Sequence, residues 1–279
     1  MEIECTFGEG IPKKSALFRV IGVFSRGVYF SDGENVYLLH DRDCGRIAFG
    51  MGVRDFASVA GKSGLTPEQD WDFTGQALER GGVRLIGVRP PAKERERNGD
   101  TDTRAAEDAL RRGGKGCLAA YYRGGANPSV FGGKIAEYLP LLTEGLQEND
   151  GAKIDRAVGA LVGLGEGLTP DLDDFFVGAL YAFHEKEKPP SFENFAGAVA
   201  RNMHKTTPIS REYLRCALRG GEFERVTDVL RDLQNVEKAE KLIAVGHSSG
   251  SGILVGILTA LKVIGKLCNS NLSQKTFIC

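Results

Sequence analysis

Three polar stretches in the second half of this 279-residue chain bring together residue types that can do chemistry. The first is Gly163-Leu164-Gly165-Glu166-Gly167-Leu168-Thr169-Pro170-Asp171-Leu172-Asp173-Asp174, which runs into the apolar Phe175-Phe176-Val177. Alternating glycines let a backbone turn tightly and approach a ligand, Thr169 is placed to cap a helix, and Pro170 suits its first position. Asp173 and Asp174 then fall in the first turn. A carboxylate there complements the positive end of the helix dipole. An adjacent pair behind a glycine loop can also accept hydrogen bonds from a substrate amide or ammonium, hold Mg²⁺, or move a proton. The pair reads as functional, whereas Asp171 is open to either interpretation.

The second stretch, Thr206-Thr207-Pro208-Ile209-Ser210, leads into Arg211-Glu212-Tyr213-Leu214, with Ser210 the expected cap and the hydroxyls of Thr206 and Thr207 free for a ligand. His204 beside it reads as a base or as a capping or packing residue. The third is Gly246-His247-Ser248-Ser249-Gly250-Ser251-Gly252 ahead of an apolar run from Ile253. Small residues feeding a helix start make an anion cradle, because unpaired amides and the helix dipole both favour negative charge. His247 adds an imidazole, a side chain able to carry a proton. A hydroxyl-rich helix entrance with no ligand is the competing explanation of this loop. Taken together, the loops point to one pocket for a small molecule with an anionic end, phosphate or carboxylate, and an NH-bearing end facing the aspartates. Gly163, Gly165, Gly167, Thr169, Thr206, Thr207, Ser210, Ser248, Ser249 and Gly250 are the expected binding residues, and Asp173, Asp174 and His247 the expected catalytic ones.

The elements that must position these loops differ between the halves of the chain. Residues 1–92 read as β-rich: Leu17 to Leu39 is rich in Val, Phe, Tyr and Leu around Asp32-Gly33, a hairpin dipeptide, and Arg46 to Phe49 and Val83 to Val88 are further strand candidates, the last stopped by Pro90-Pro91. Residues 93–127 read as a charged and glycine-rich connector, in which Arg112-Gly113-Gly114-Lys115-Gly116 lacks the full phosphate-loop spacing and is taken as a turn. From 128 to 279 the periodicity is helical, with stretches at Lys153–Leu164, Asp173–His184, Phe192–His204, Arg211–Leu218, Phe223–Asn235 and Ile253–Leu267. The expected fold is thus α+β: a small β-rich barrel or sandwich with one short helix, followed by a mainly α-helical C-terminal domain carrying the site.

Composition narrows the function classes. A formal net charge of −1, with 42% hydrophobic and 26% charged residues, gives no global field to hold DNA, RNA or an anionic membrane. The six cysteines are scattered without metal spacing and read as reduced thiols. The N-terminal residues lack the pattern of a signal peptide and no uninterrupted apolar run looks long enough to cross a bilayer, so the expected location is the cytoplasm.

The three loops, in order, resemble the AllH-type family, the AllH subunits of oxamate carbamoyltransferase in anaerobic allantoin degradation. The resemblance rests on Gly163-Leu164-Gly165-Glu166-Gly167-Leu168-Thr169-Pro170 with Asp173-Asp174-Phe175, on Thr206-Thr207-Pro208-Ile209-Ser210 and on Gly246-His247-Ser248-Ser249-Gly250, and it spans roughly residues 125–265. The family loop usually reads GLGPGLTPSGDD, so here Glu166 stands for a proline and Asp171-Leu172 for a Ser-Gly pair, an added carboxylate and a lost hydroxyl beside the anion loop. The resemblance implies carbamoyl transfer between oxalurate and phosphate, giving oxamate and carbamoyl phosphate, in an assembly with other subunits. It further implies anion contacts from Gly165, Gly167, Thr169, Ser249 and Gly250, Asp173 and Asp174 on the carbamoyl NH₂ or a metal, and His247 as proton carrier. Two other readings compete: a non-catalytic binding or assembly subunit, since no nucleophile–base pair is evident, and a metal-dependent hydrolase or lyase using Asp171, Asp173 and Asp174.

Overall fold

The computed structural model describes residues 1–91, 102–124 and 129–275, with side chains described as far as residue 267. The charged run Lys93–Arg97, Asn98-Gly99-Asp100 and Pro128 lie outside the described residues. Contacts divide the chain into two units, Met1–Arg95 with Gly221–Arg225, and Glu96–Gly220 with Val226–Cys279.

In the first unit, strands β1 (Glu2–Phe7), β2 (Ala16–Phe24), β3 (Gly27–Ser31), β4 (Val36–Asp41), β5 (Gly50–Val53), β6 (Asp70–Phe73), β7 (Ala77–Arg80) and β8 (Val83–Val88) close into a barrel, with helix α1 (Phe56–Ser63) between β5 and β6. Their order is β1-β5-β4-β3-β2-β6-β7-β8, and β8 returns to β1 in parallel, Ile3 opposite Leu85. Along β2 the period is two: Phe18 and Val20 are buried while Leu17, Arg19 and Ile21 face out. Phe18 stacks on Tyr37 and Phe73 at 4.4 and 4.7 Å between ring centroids. An eight-stranded barrel has an interior just wide enough for such side chains to fill. The hairpin at Asp32-Gly33 forms, Gly33 having φ +98° and Asp32 Oδ1 accepting from the amides of Glu34 and Asn35.

This architecture corrects the expected fold. The β part is a closed barrel, with no open edge and no second sheet among the described residues, so the sandwich alternative is excluded, and it is not simply followed by the helices. Gly221–Arg225, far along the helical half, belongs to the barrel unit: Ile47 bridges Phe223, Ala48 N–H donates to Glu222 O at 2.7 Å and Glu224 N–H to Arg46 O at 2.8 Å. Arg46–Phe49, read as a strand, is therefore a turn bonded to this remote segment, and the strand starts at Gly50.

The second unit contains α2 (Arg104–Gly113), α3 (Gly116–Tyr122), α4 (Gly132–Glu148), α5 (Gly151–Leu161), α6 (Asp171–Glu185), α7 (Phe192–Asn202), α8 (Pro208–Leu218), α9 (Glu224–Arg231, its first two residues assigned to the barrel unit), α10 (Val236–Ile243) and α11 (Ser249–Lys275). Both α2 and α3 lie in the stretch expected as a connector. At the centre α6 packs against α11, and from Asp171 to Phe183 every residue of α6 is buried, as a helix apolar on most faces must be. Glycines set the approach: a Cβ at Gly178 would sit 1.9 Å from Ile253 O, and one at Gly256 2.0 Å from Phe175 O. Contrary to the sequence expectation, one helical segment, Ser249–Leu267, is long and apolar enough to cross a bilayer, with a mean hydropathy of 1.6; 72% of it is buried inside the protein. Its apolarity is accounted for by its place in the core.

Candidate functional site

The glycine loop folds back over the start of α6. Gly165, at φ +138°, leaves no room for a side chain, since a Cβ would lie 2.3 Å from the Asp171 amide nitrogen. Gly163, at φ +78°, brings the loop against Lys205 O, 2.6 Å from where its Cβ would be. The helix begins at Asp171 with Pro170 in the cap position and no side-chain cap. Thr169, expected as the cap, instead shares a 2.9 Å hydrogen bond with Ser249 Oγ. The second loop is also capped differently from the expectation: Thr207 accepts from Ser210 N–H at 3.0 Å, with Pro208 at the first helical position. Ser210 is thereby released to face α6.

Three buried carboxylates occupy the first turn of α6, each with different surroundings. Asp173 takes Gly163 N–H on Oδ1 at 2.8 Å and the hydroxyls of Thr206 and Ser210 on Oδ2, the latter at 2.7 Å. Asp171 takes Ser248 Oγ–H on Oδ1 at 2.6 Å and the Cys117 thiol on Oδ2 at 2.9 Å. Asp174 is 3% exposed, and its Oδ2 is buried without a hydrogen-bond partner. Burial raises the Asp173 pKa against the pull of its three donors. At Asp174 burial raises it much further, the charges of Asp171 and Asp173 add to the rise, and the hydroxyls of Ser249 and Thr169 oppose it.

The structure therefore brings the three loops together. Asp173 joins the first to the second, Thr207 Oγ1 donates to Leu168 O, and Asp171 and Thr169 join the first to the third. Around this junction the backbone N–H groups of Gly165, Glu166, Gly167, Leu168 and Thr169 have no partner among the described residues. Other expected donors are occupied: the amide of Gly163 by Asp173, and that of Gly250 by Val245 O at 3.0 Å, with Gly250 packed tightly on Leu242 O. His247 is exposed and His204 bonds Arg201 O. Among the described residues no group of three His, Cys, Asp or Glu side chains is arranged to hold a metal ion; Asp171 and Asp173 turn their oxygens to different partners.

A fourth segment was not foreseen. Lys115 N–H donates to the buried Ser251 Oγ at 3.0 Å. Gly116, at φ +80°, lies against Ser248, whose Cβ would be 2.6 Å from an added Cβ. Burial and the Asp171 carboxylate together push the Cys117 thiol up to about 12. The glycine run 113–116 was the available signal, and its misfit to a phosphate-loop pattern concealed a role in packing against the third loop.

No solved structure matches the chain. Residues 161–261, which contain all three loops together with α6 and the first half of α11, match the model of the family described as oxamate carbamoyltransferase subunit AllH.

Proposed function

We propose that the loop junction binds a small anion carrying a phosphate or carboxylate group, and that the chain acts as one subunit of a carbamoyltransferase assembly converting oxalurate and phosphate to oxamate and carbamoyl phosphate. The family match supports the subunit reading. The single observation that carries the anion site is the run of unpartnered amides at 165–169, held in place by Asp173 and lying beside the Thr169–Ser249 hydroxyl pair at the start of α11. Oriented donors of this kind stabilise a tetrahedral or phosphoryl oxyanion without reorganising. Asp174, its acidity suppressed, would act as a hydrogen-bond donor near that anion, while Asp171 and Asp173 hold the loops. His247, exposed at the mouth of the third loop, is left as the candidate proton carrier.

A second reading has a specific observation behind it. Asp171 and Asp173 are occupied within the protein, and among the described residues neither Ser248 nor Ser249 is hydrogen-bonded to a histidine. That favours a chain that binds and positions the anion while the reacting groups come from partner subunits. Calorimetry of the purified chain with phosphate, carbamoyl phosphate and oxamate tests the anion site. Binding of at least one of them, weakened about tenfold in Ser249→Ala, corresponds to loss of one hydrogen bond to a charged group. Absence of heat with all three would remove the proposal.

A further inference from the structure

We propose that a second cleft in the helical unit, between α2, α3, α4 and α11, binds a nucleotide-type ligand, a flat heterocycle joined to a phosphoryl chain. The cleft has a volume of about 760 Å³ and is walled by Arg111, Tyr121, Tyr122, Gln147, Lys262 and Lys266, within the size range of organic-ligand pockets and far larger than a bare phosphate needs. Its lining carries three cations. Arg111 comes from α2, and Lys262 and Lys266 are one helical turn apart on α11. Lys262 Nζ is fixed by the Tyr122 hydroxyl at 2.8 Å and by Glu107 at 3.5 Å. Glu107, behind Lys262, is compensated by Lys262 and Arg111 and accepts from Thr103 at 3.1 Å, and Glu144, on the wall of the cleft's continuation along α4, is paired with Lys153 at 2.6 Å. Lys266 has no partner among the described residues, and Arg111 has only a loose pairing with Glu107 at 3.6 Å.

Two further features define the ligand. Gln147 Nε2 is buried within the protein without a hydrogen-bond partner, a cost that a ligand acceptor would relieve. Along α4 the cleft continues over Leu139, Pro140 and Val255, an apolar floor beside the two tyrosines. Donors and cations at one end with aromatic and aliphatic surface at the other suit a phosphoryl chain and a ring respectively. A duplex or single strand would need a longer basic track than three cations. The cleft uses none of the residues of the loop junction, although α3 serves both, with Cys117 at one end and Tyr121-Tyr122 at the other.

Calorimetry of the full chain in magnesium-free buffer, with ADP, GDP and UDP beside pyrophosphate and adenosine, tests this. The expected result is that at least one nucleoside diphosphate binds tenfold or more tightly than pyrophosphate and adenosine, and that Arg111→Glu and Lys266→Glu each weaken it at least tenfold. Both side chains are exposed, so folding is not at stake, and far-ultraviolet circular dichroism verifies that. Ser249→Ala should leave this affinity unchanged. No binding of any nucleoside diphosphate at millimolar concentration, or binding that both charge reversals leave intact, would overturn the proposal, as would affinity lost in Ser249→Ala.

Discussion

At Asp173 both carboxylate oxygens are engaged by donors from two different loops, whereas next to it Asp174 is buried with one oxygen unpartnered. Removing Asp173 orphans Gly163 N–H and two hydroxyls at once. Asp173→Ala should therefore cost about 3 kcal/mol by urea denaturation, the range for breaking a buried charged network, with Asp173→Asn losing less. Asp174 is governed by protonation. Its folded pKa lies well above the value for an unfolded aspartate, so the folded state binds the proton more tightly, and the stability this gives is complete below the unfolded pKa and is lost as pH rises through the folded one. Asp174→Asn does not titrate. Its melting temperature should gain on wild type between pH 5 and pH 8, and a difference that stays constant or shrinks would mean that the carboxyl is ionised throughout. From sequence, the aspartates were legible as a group but not their separate roles. Cys117 reaches Asp171 across 54 positions, and local spacing contains nothing of such a contact.

Among the elements, the pairing of α6 with α11 positions the site, since both helices begin at the junction. Their backbones touch at Gly178 and Gly256, where an added methyl would collide with a carbonyl oxygen. Gly178→Ala or Gly256→Ala should lower stability by about 2 kcal/mol or more through overpacking. Gly265→Ala, in open space on the same helix, should be neutral or stabilising by up to about 1 kcal/mol because alanine is the better helix former. Equal effects at the three positions would contradict close packing as the cause. Most helices after residue 128 were readable because their apolar residues recur at helical spacing, whereas α2 and α3 fell in the stretch read as a connector and α10 in none of the stretches named. Helix starts were less so: Thr207 and Ser210 are both capping residues by type, and Pro208 at the first helical position marks Thr207 as the cap. In the barrel, the hairpin at Asp32-Gly33 and strand β8 were legible from turn chemistry and the following prolines. Strands β6 and β7 have four residues each, and β1, β6 and β7 carry Glu or Asp on their outer face, so only their partners in the closed barrel reveal them.

On the scale of the whole molecule, two units can be followed separately, because the single tryptophan, Trp71, is buried in the barrel while most helix lies in the other unit. Arg46 pairs with Glu222 at 2.6 Å inside the barrel unit, both side chains largely buried. Arg46→Ala should move the fluorescence midpoint of urea unfolding more than the far-ultraviolet midpoint, and Asp173→Ala should do the reverse; identical shifts in both signals would show a single cooperative unit. The return of Gly221–Arg225 to the barrel was hidden in the sequence because a five-residue segment has no periodicity to read. The central claim is that the amides of residues 165–169 face an anion. Its most direct test is an amide-resolved NMR titration of the whole chain with phosphate and carbamoyl phosphate. Saturable shifts centred on Gly165, Glu166, Gly167 and Leu168, reduced in Ser249→Ala, are the predicted result, and shifts that are absent there or confined to other segments would contradict it.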